Sequence, residues 1–341
     1  MKAMVLKEYN EDLLLEELNI PKPEDMEIVI KVENCGICYT DFKIFHGEFN
    51  SFIKLPHIPG HEVAGRVVEI GKGVSNIKVG DKGIVYFLIG CRNCDLCRRG
   101  KENLCYHITR IGFELPGGYE EYLKIPAYNF CSFTEDISFE KMAILSDAVA
   151  TPYHALKKLA NISLGQSLLI VGIGGLGIHA VQLAKLMGAI VLAADIKRES
   201  LNMAESFGAD LLINPQNDDP YKKIMSYTNG RGVDVVLEGV GKKETIKWSL
   251  PSLKKGGKLI IMGYDPCNPI PINMMDIHNN EWSIAGTKVS TKQELLEVIE
   301  LVEKGYIDPV ISKTIPLTDI NEGLKEIKNG KNIGRIVLDI C

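Results

Sequence analysis

The sequence predicts an α/β protein of two domains, one an antiparallel, barrel-like β structure and the other a doubly wound parallel sheet. Three observations predict it. The chain has 341 residues, beyond the roughly 250–300 at which a single core stops growing. Residues 1–140 read as short β segments broken by Gly and Pro. From about residue 145, apolar strands alternate with segments of helical period, which is the pattern of a parallel sheet.

The composition is 45% hydrophobic, 24% charged and 7% aromatic, with a net charge of −5 and a mean hydropathy of +0.03. This is a globular profile, neither collagen-like nor disordered. A nucleic-acid binder would carry a basic face. Here the basic clusters at 98–101 and 254–258 read as solvated turns. The longest apolar run, 168–184, is broken by Gly172, Gly174, Gly175 and Gly177, so no membrane span of about 20 apolar residues is expected. The start, MKAMVLKEYNEDLLL, lacks the apolar core and cleavage site of a signal peptide. The expected compartment is the cytoplasm.

In chain order, MKAMVLK, MEIVIKVENC, EVAGRVVEIG, GIVYFLIG and YEEYLKIP read as the strands of the first domain. SLLIVGIG (167–174) is a buried strand, and LGIHAVQLAKLMGA (176–189) a helix that stops at Gly188. Strands IVLAADI, DLLINP, VDVVLEGV and GKLIIMG follow, separated by helices at 198–209 and near 219–228 and 242–251. After about 285 the repeat changes. Thr291 and Glu294 form a capping-box pattern that opens a helix through Lys304, stopped by Gly305. A helix near 318–329 and the strand GRIVLDI close the chain.

Nine cysteines, an odd number with no export signal, argue against a disulfide framework. Cys91, Cys94, Cys97 and Cys105 are spaced C-x2-C-x2-C-x7-C. Four thiolates so spaced can wrap one tetrahedral Zn²⁺ at about 2.3 Å each. A C-x2-C-x2-C run also suits an iron–sulfur cluster; zinc is the favoured reading. The segment Gly172-Ile173-Gly174-Gly175-Leu176-Gly177 is G-x-G-x-x-G between an apolar strand and a helix. Its glycines allow a tight turn, close approach of a pyrophosphate, and packing of helix on strand. The helix N-terminus then stabilises the phosphate charge. Asp195, at the end of the next strand, would accept hydrogen bonds from ribose hydroxyls and repel a 2′-phosphate, which favours NAD over NADP. Lys197 and Arg198 stand close enough to weaken that preference, and Asp195 could instead be a strand-end turn residue.

Gly60-His61-Glu62-x-x-Gly65-x5-Gly71 and Cys35-Gly-Ile-Cys38-Tyr-Thr40-Asp41 complete the pattern. With the four-Cys lobe, the TPYHAL helix and the GIGGLG turn, in that order, the sequence resembles the zinc-dependent medium-chain alcohol dehydrogenases over nearly its whole length. The resemblance implies a GroES-like β-barrel-type catalytic domain at 1–145, continued by 286–341, and a Rossmann domain at 146–285. It implies two zinc ions per chain, one catalytic and one structural, a nicotinamide cofactor, a small alcohol, aldehyde or ketone substrate, and a homodimer or homotetramer.

Position by position, Cys38 and His61 match catalytic zinc ligands, and Glu62 the neighbouring carboxylate that can lie near the metal or exchange onto it. Asp147 stands where many members have a ligating Cys; zinc accepts a carboxylate oxygen at about 2.0–2.2 Å. The alternative is that Ser146 or Asp147 caps the following helix. Asp41 resembles the carboxylate that orients the ligating His. Thr40 resembles the hydroxyl that bonds the substrate oxygen, and Thr151 the residue packed on the nicotinamide. Lys43 stands where many members have a relay His and reads as a solvated lysine; His46 matches a different position. The implied reaction is reversible hydride transfer between an alcohol carbon and the nicotinamide, with zinc as Lewis acid. The rivals are a metal-free enoyl or quinone reductase and a non-catalytic relative on the same fold.

Overall fold

The computed structural model describes residues 1–134, 136–265, 268–330 and 332–340. They form two compact units, Met1–Ala150 with Ser290–Cys341, and Thr151–Val289.

The first unit is organised by one long strand, Glu27–Ile37, whose Ile28, Val29, Ile30 and Val32 are fully buried. Along one edge it pairs antiparallel with Glu62–Ile70. Two register slips, at Val29/Ile30 and Val32/Asn34, interrupt that ladder. Such bulges bend the strand and sharpen its twist, as a sheet needs in order to curl toward a barrel. Its other edge takes Tyr122–Pro126 near its start and Arg335–Asp339 near its end, both antiparallel. The sheet continues through Lys82–Val85 to Phe130–Ser132 on one side and to Ile311–Pro316 on the other. The C-terminal strand thus belongs to the sheet of the first 130 residues: Val337 pairs with Gly36, and Asn34 Nδ2 donates to the Leu338 carbonyl at 3.0 Å.

GIVYFLIG, read as one strand, is two: Lys82–Val85 and Leu88–Ile89 pair in different sheets. The break comes at Tyr86, whose N–H donates to the Asn129 carbonyl at 2.8 Å and whose hydroxyl donates to the Ser290 carbonyl at 2.9 Å. The Thr291–Glu294 capping box forms and opens the helix Lys292–Glu303.

The second unit is a six-stranded parallel sheet in the order Leu211–Ile213, Ile190–Ala194, Ser167–Val171, Val233–Glu238, Leu253–Ile261, Ser283–Gly286. The chain winds outward one way from Ser167–Val171, then returns and winds the other way. The order therefore reverses beside that strand, which is where this architecture binds ligands. Leu169, Leu192, Ile213, Val236 and Leu259 are fully buried. Continuous apolar runs rather than alternation are what a sheet covered on both faces requires. Two elements gave no sequence signal, the helix Met274–Asn280 and the edge strand Ser283–Gly286. Both are short and largely exposed, so neither carries a strong apolar period. Among the described residues, no helix is long and apolar enough to cross a membrane.

Candidate active site

Three buried side chains of the first unit converge. Cys38 follows the long strand and precedes the helix Tyr39–Phe45. His61 precedes the strand Glu62–Ile70, and the pairing of Gly36 with Glu62 brings the two segments together. Asp147 follows the single turn Ile144–Ser146. Cys38 Sγ is 3.4 Å from Asp147 Oδ2, and His61 Nε2 is 3.8 Å from the same oxygen. One thiol sulfur, one imidazole nitrogen and one carboxylate oxygen, all within 4.8 Å of one another, are a donor set that could hold a metal. Zinc takes each of those ligand types.

Asp41 supports the set from behind. Its Oδ2 accepts the Cys38 backbone N–H at 2.8 Å, as the third residue of the helix. Its Oδ1 lies 3.2 Å from His61 Nδ1. Helix-start contact and histidine partner are therefore the same carboxylate. A proton on Nδ1 leaves the Nε2 lone pair toward Cys38 and Asp147. Burial alone would lower the His61 pKa, but Asp41, Asp147 and Cys38 outweigh it and hold the imidazole well above its usual value. The charges that draw a proton there would draw a divalent cation to Nε2 as well. The rings of Phe87 and Phe113 lie against His61, with centroids at 5.0 and 5.3 Å.

Glu62 is not in this set. Its Oε1 accepts from Arg335 Nε at 3.0 Å and from the Ala148 N–H at 3.2 Å. The carboxylate is fully buried. Burial pushes its pKa up to about 7 even with the Arg335 cation beside it. A carboxylate removed from water pairs with the nearest buried cation, and this one is held on Arg335. Arg335 itself had no place in the sequence reading. It opens the C-terminal strand, is 4% exposed, and also donates from Nη2 to Asp147 Oδ2 at 3.0 Å and to Cys38 Sγ at 3.4 Å. A lone arginine heading the apolar run Ile336–Val337–Leu338 was the available signal.

Thr40 lies half-buried at the start of the helix, with its hydroxyl 3.6 Å from Cys38 Sγ. Lys43 is a correction: it is buried rather than solvated, with its ammonium 5.9 Å from the centre of the Tyr39 ring. His46 caps the C-terminal end of the same helix and pairs with Asn10 at 2.5 Å.

In the cysteine lobe, Cys91, Cys94, Cys97 and Cys105 bring their sulfurs within 4.8 Å of one another. Backbone N–H groups point at them: Cys91 donates to Cys105 Sγ at 3.2 Å, Cys94 to Cys91 Sγ at 3.3 Å and His107 to Cys105 Sγ at 3.3 Å. The N–H groups of Asn93 and Cys94 hold the Cys91 thiol down to about 6. Burial and the neighbouring sulfurs push the Cys97 thiol the other way, up to about 12, so it takes a cation for all four to lose their protons together.

In the second unit, Gly172 has φ +87° in the turn after Ser167–Val171, a conformation glycine adopts without strain. A Cβ on Gly177 would come 1.9 Å from the Gly172 carbonyl oxygen, so the helix Gly177–Leu186 lies directly on the turn. Gly174, Gly175 and Leu176 lie between, and a Cβ on Gly174 would meet nothing within 4 Å. Asp195 binds the same turn. Its Oδ2 accepts the Ile173 N–H at 2.7 Å and its Oδ1 the Lys197 N–H at 2.8 Å. Arg198 is exposed at the start of the next helix, and Thr151 is buried in the helix Ala150–His154.

Comparison with known proteins agrees with this arrangement. Residues 24–135 match the alcohol dehydrogenase GroES-like domain, and residues 175–304 the zinc-binding dehydrogenase domain. An alcohol dehydrogenase of Geobacillus stearothermophilus is 38% identical over 341 residues, covering 100% of this chain and 99% of that one. An NAD-dependent alcohol dehydrogenase of Sulfolobus acidocaldarius is 34% identical, with 100% of both chains covered. The crystal structure of the alcohol dehydrogenase of the hyperthermophilic archaeon Aeropyrum pernix superposes with a TM-score of 0.94 at 33% identity, covering 100% of both chains. Full-length identity at this level, with both domains matched, places the chain in the zinc-dependent medium-chain alcohol dehydrogenase family.

Proposed function

We propose that this chain is an NAD-dependent alcohol dehydrogenase holding two zinc ions, a catalytic one at Cys38, His61 and Asp147 and a structural one at Cys91, Cys94, Cys97 and Cys105. The observation that carries the reading is the convergence of Cys38, His61 and Asp147, with Asp41 behind His61. Bound there, zinc supplies a Lewis acid for an alcohol or carbonyl oxygen, and NAD supplies the hydride acceptor.

The chain's own groups do the rest. Asp41 keeps the proton of His61 on Nδ1 and so keeps Nε2 a ligand. Arg335 holds Asp147 and Glu62 in place and balances their charge. Glu62 acts through Arg335, within reach of the metal site rather than as a standing ligand. Thr40 Oγ1, beside Cys38, is the hydroxyl that takes the alcohol proton toward solvent. Gly172, Gly174, Gly175, Leu176 and Gly177 cradle the cofactor pyrophosphate at the helix start. Thr151 packs on the nicotinamide. Asp195 has lone pairs left beyond its two backbone bonds for ribose hydroxyls, and its charge opposes a 2′-phosphate. Arg198, exposed at the start of the helix that follows Asp195 in the chain, is the basic residue that would pair with the 2′-phosphate of NADP. The rings of Phe87 and Phe113 against His61 favour alcohols with an apolar carbon chain over polyols.

The test is NADH or NADPH formation from a panel of primary and secondary alcohols, diols and polyols. NAD-linked turnover of apolar alcohols that disappears on chelation and returns with zinc is the expected result. Chelator-insensitive turnover, or reduction of an enone with no alcohol oxidation, would favour a metal-free reductase.

A further inference from the structure

We propose that Tyr119 is a positioning residue of the metal centre: its buried hydroxyl donates to Asp41 Oδ1, and through that carboxylate it fixes His61 with Nε2 toward Cys38 and Asp147. The inference rests on the reading of Cys38, His61 and Asp147 as metal ligands.

Tyr119 is completely buried. Its backbone is tied on both sides: its N–H donates to the Pro59 carbonyl at 3.1 Å, and its carbonyl accepts from Met4 at 2.8 Å. Its ring lies over Gly60, the residue before His61, so closely that a Cβ there would come 2.6 Å from the ring. The side chain therefore has no second place to go. Three buried polar atoms of this corner, Tyr119 Oη, Asp41 Oδ1 and His61 Nδ1, have no hydrogen-bond partner among the described residues. Leaving each unpaired would cost free energy. One arrangement satisfies all three. A carboxylate oxygen has two acceptor sites, and Oδ1 can take one from the imidazole N–H and one from the phenol O–H. The other oxygen, Oδ2, is already committed to the Cys38 N–H.

The electrostatics agree. Burial first, then the Asp41 charge, hold the Tyr119 phenol well above its ordinary pKa, so it keeps the proton it would donate. Asp41 then carries three donors, from Cys38, His61 and Tyr119. Its orientation, and with it that of the imidazole, is fixed from three directions. A partner that orients a ligating histidine raises metal affinity without touching the metal.

The test is Tyr119→Phe in the full-length zinc-loaded enzyme. The ring and its packing on Gly60 are kept and only the hydroxyl is removed. The readouts are the rate at which each zinc equivalent passes to a chromogenic chelator and the visible absorption of the cobalt-substituted enzyme. One equivalent should leave about 10–100-fold faster than in wild type, the usual effect of losing such a partner. The other equivalent should be unchanged, and the cobalt spectrum should shift. Unchanged rates and spectrum would mean that Tyr119 only packs, and equal acceleration of both equivalents would mean general loosening; either result overturns the proposal. Cys38→Ala separates this from the underlying assignment: if that variant keeps both equivalents, the ligand reading fails whatever Tyr119 does.

Discussion

Arg335 Nη2 stands 3.0 Å from Asp147 Oδ2, joining the last strand of the chain to a candidate metal ligand 188 residues earlier. The same guanidinium holds Glu62 at 3.0 Å. Two buried carboxylates thus share one buried cation. Replacing Arg335 by Leu leaves Glu62 buried without a cation, while Asp147 keeps the metal as its partner, and breaking a buried pair in this way costs about 3–5 kcal/mol. Urea denaturation of the zinc-loaded protein at pH 7 checks the expectation. A midpoint within error of wild type would show that Glu62 does not depend on Arg335.

Asp147 supplies the oxygen that faces both Cys38 and His61. Asp147→Asn keeps the size and removes the charge. It should weaken the catalytic metal and lower kcat/KM by at least about 100-fold, the upper end of what even an outer partner's loss causes. Asp147→Cys restores an anionic ligand that zinc accepts, so it should keep the metal. Zinc content and kcat/KM of the two variants decide between ligand and helix cap. A cap alone would make Asp147→Asn the milder of the two, because Asn caps a helix as well as Asp and Cys does not.

The cysteine lobe should be a separate site. Cys94→Ser removes one of four sulfurs that lie within 4.8 Å of one another. Zinc per chain should fall by one equivalent and the thermal midpoint should drop, because structural zinc contributes folding free energy directly. An iron–sulfur cluster would instead show visible absorption and iron in the wild-type protein.

Asp195 carries the cofactor preference. Removing it in Asp195→Ala takes away an anionic acceptor whose hydrogen bonds are worth about 1.5–3 kcal/mol, or roughly 10–100-fold in affinity. NADH titration should show a Kd weakened by that factor, with NADPH binding unchanged or improved. Equal weakening of both cofactors would mean that Asp195 only braces the turn through Ile173 and Lys197.

Glu120 gives a pH signature away from the metal sites. It is 3% exposed, and burial alone pushes its carboxyl up to about 8 from 4.5. The folded protein keeps this proton in a range where the unfolded chain releases it. Native Glu120 therefore binds more protons between those two pH values, and stability falls as pH rises through them. Each unit of separation is worth about 1.4 kcal/mol, so the effect is on the order of a few kcal/mol. Glu120→Gln should lose less stability than wild type between pH 5 and 8 in thermal melts. Parallel curves would show that Glu120 is ionised in the fold.

Local patterns in the sequence were legible, and long-range partners were not. The strand–turn–helix at 167–186 carries its own glycine signature, and the alternation after it predicts the parallel sheet that forms. Cys91, Cys94, Cys97 and Cys105 are close in sequence, so spacing alone suggests one site. Cys38, His61 and Asp147 are far apart and were linked through family resemblance rather than periodicity. Arg335 escaped because it opens a strand that reads as ordinary core, and Tyr119 because YEEYLKIP reads as one strand although Tyr119 lies ahead of the strand Tyr122–Pro126; the groups each one meets are distant in sequence. Lys43 misled because a lysine on a short helix is usually solvated. The strand Ser283–Gly286 is held by pairing with Leu253–Ile261, which no local pattern records.

The central claim is that one metal, held by Cys38, His61 and Asp147, is required for alcohol oxidation with NAD. Its most direct measurement pairs zinc content with alcohol-dependent NADH formation, in wild type and Cys38→Ala purified side by side. The account predicts two zinc equivalents and turnover in wild type, and one equivalent, a folded chain and no measurable turnover in the variant. A Cys38→Ala enzyme that keeps both equivalents, or that oxidises the alcohol at the wild-type rate, would contradict it.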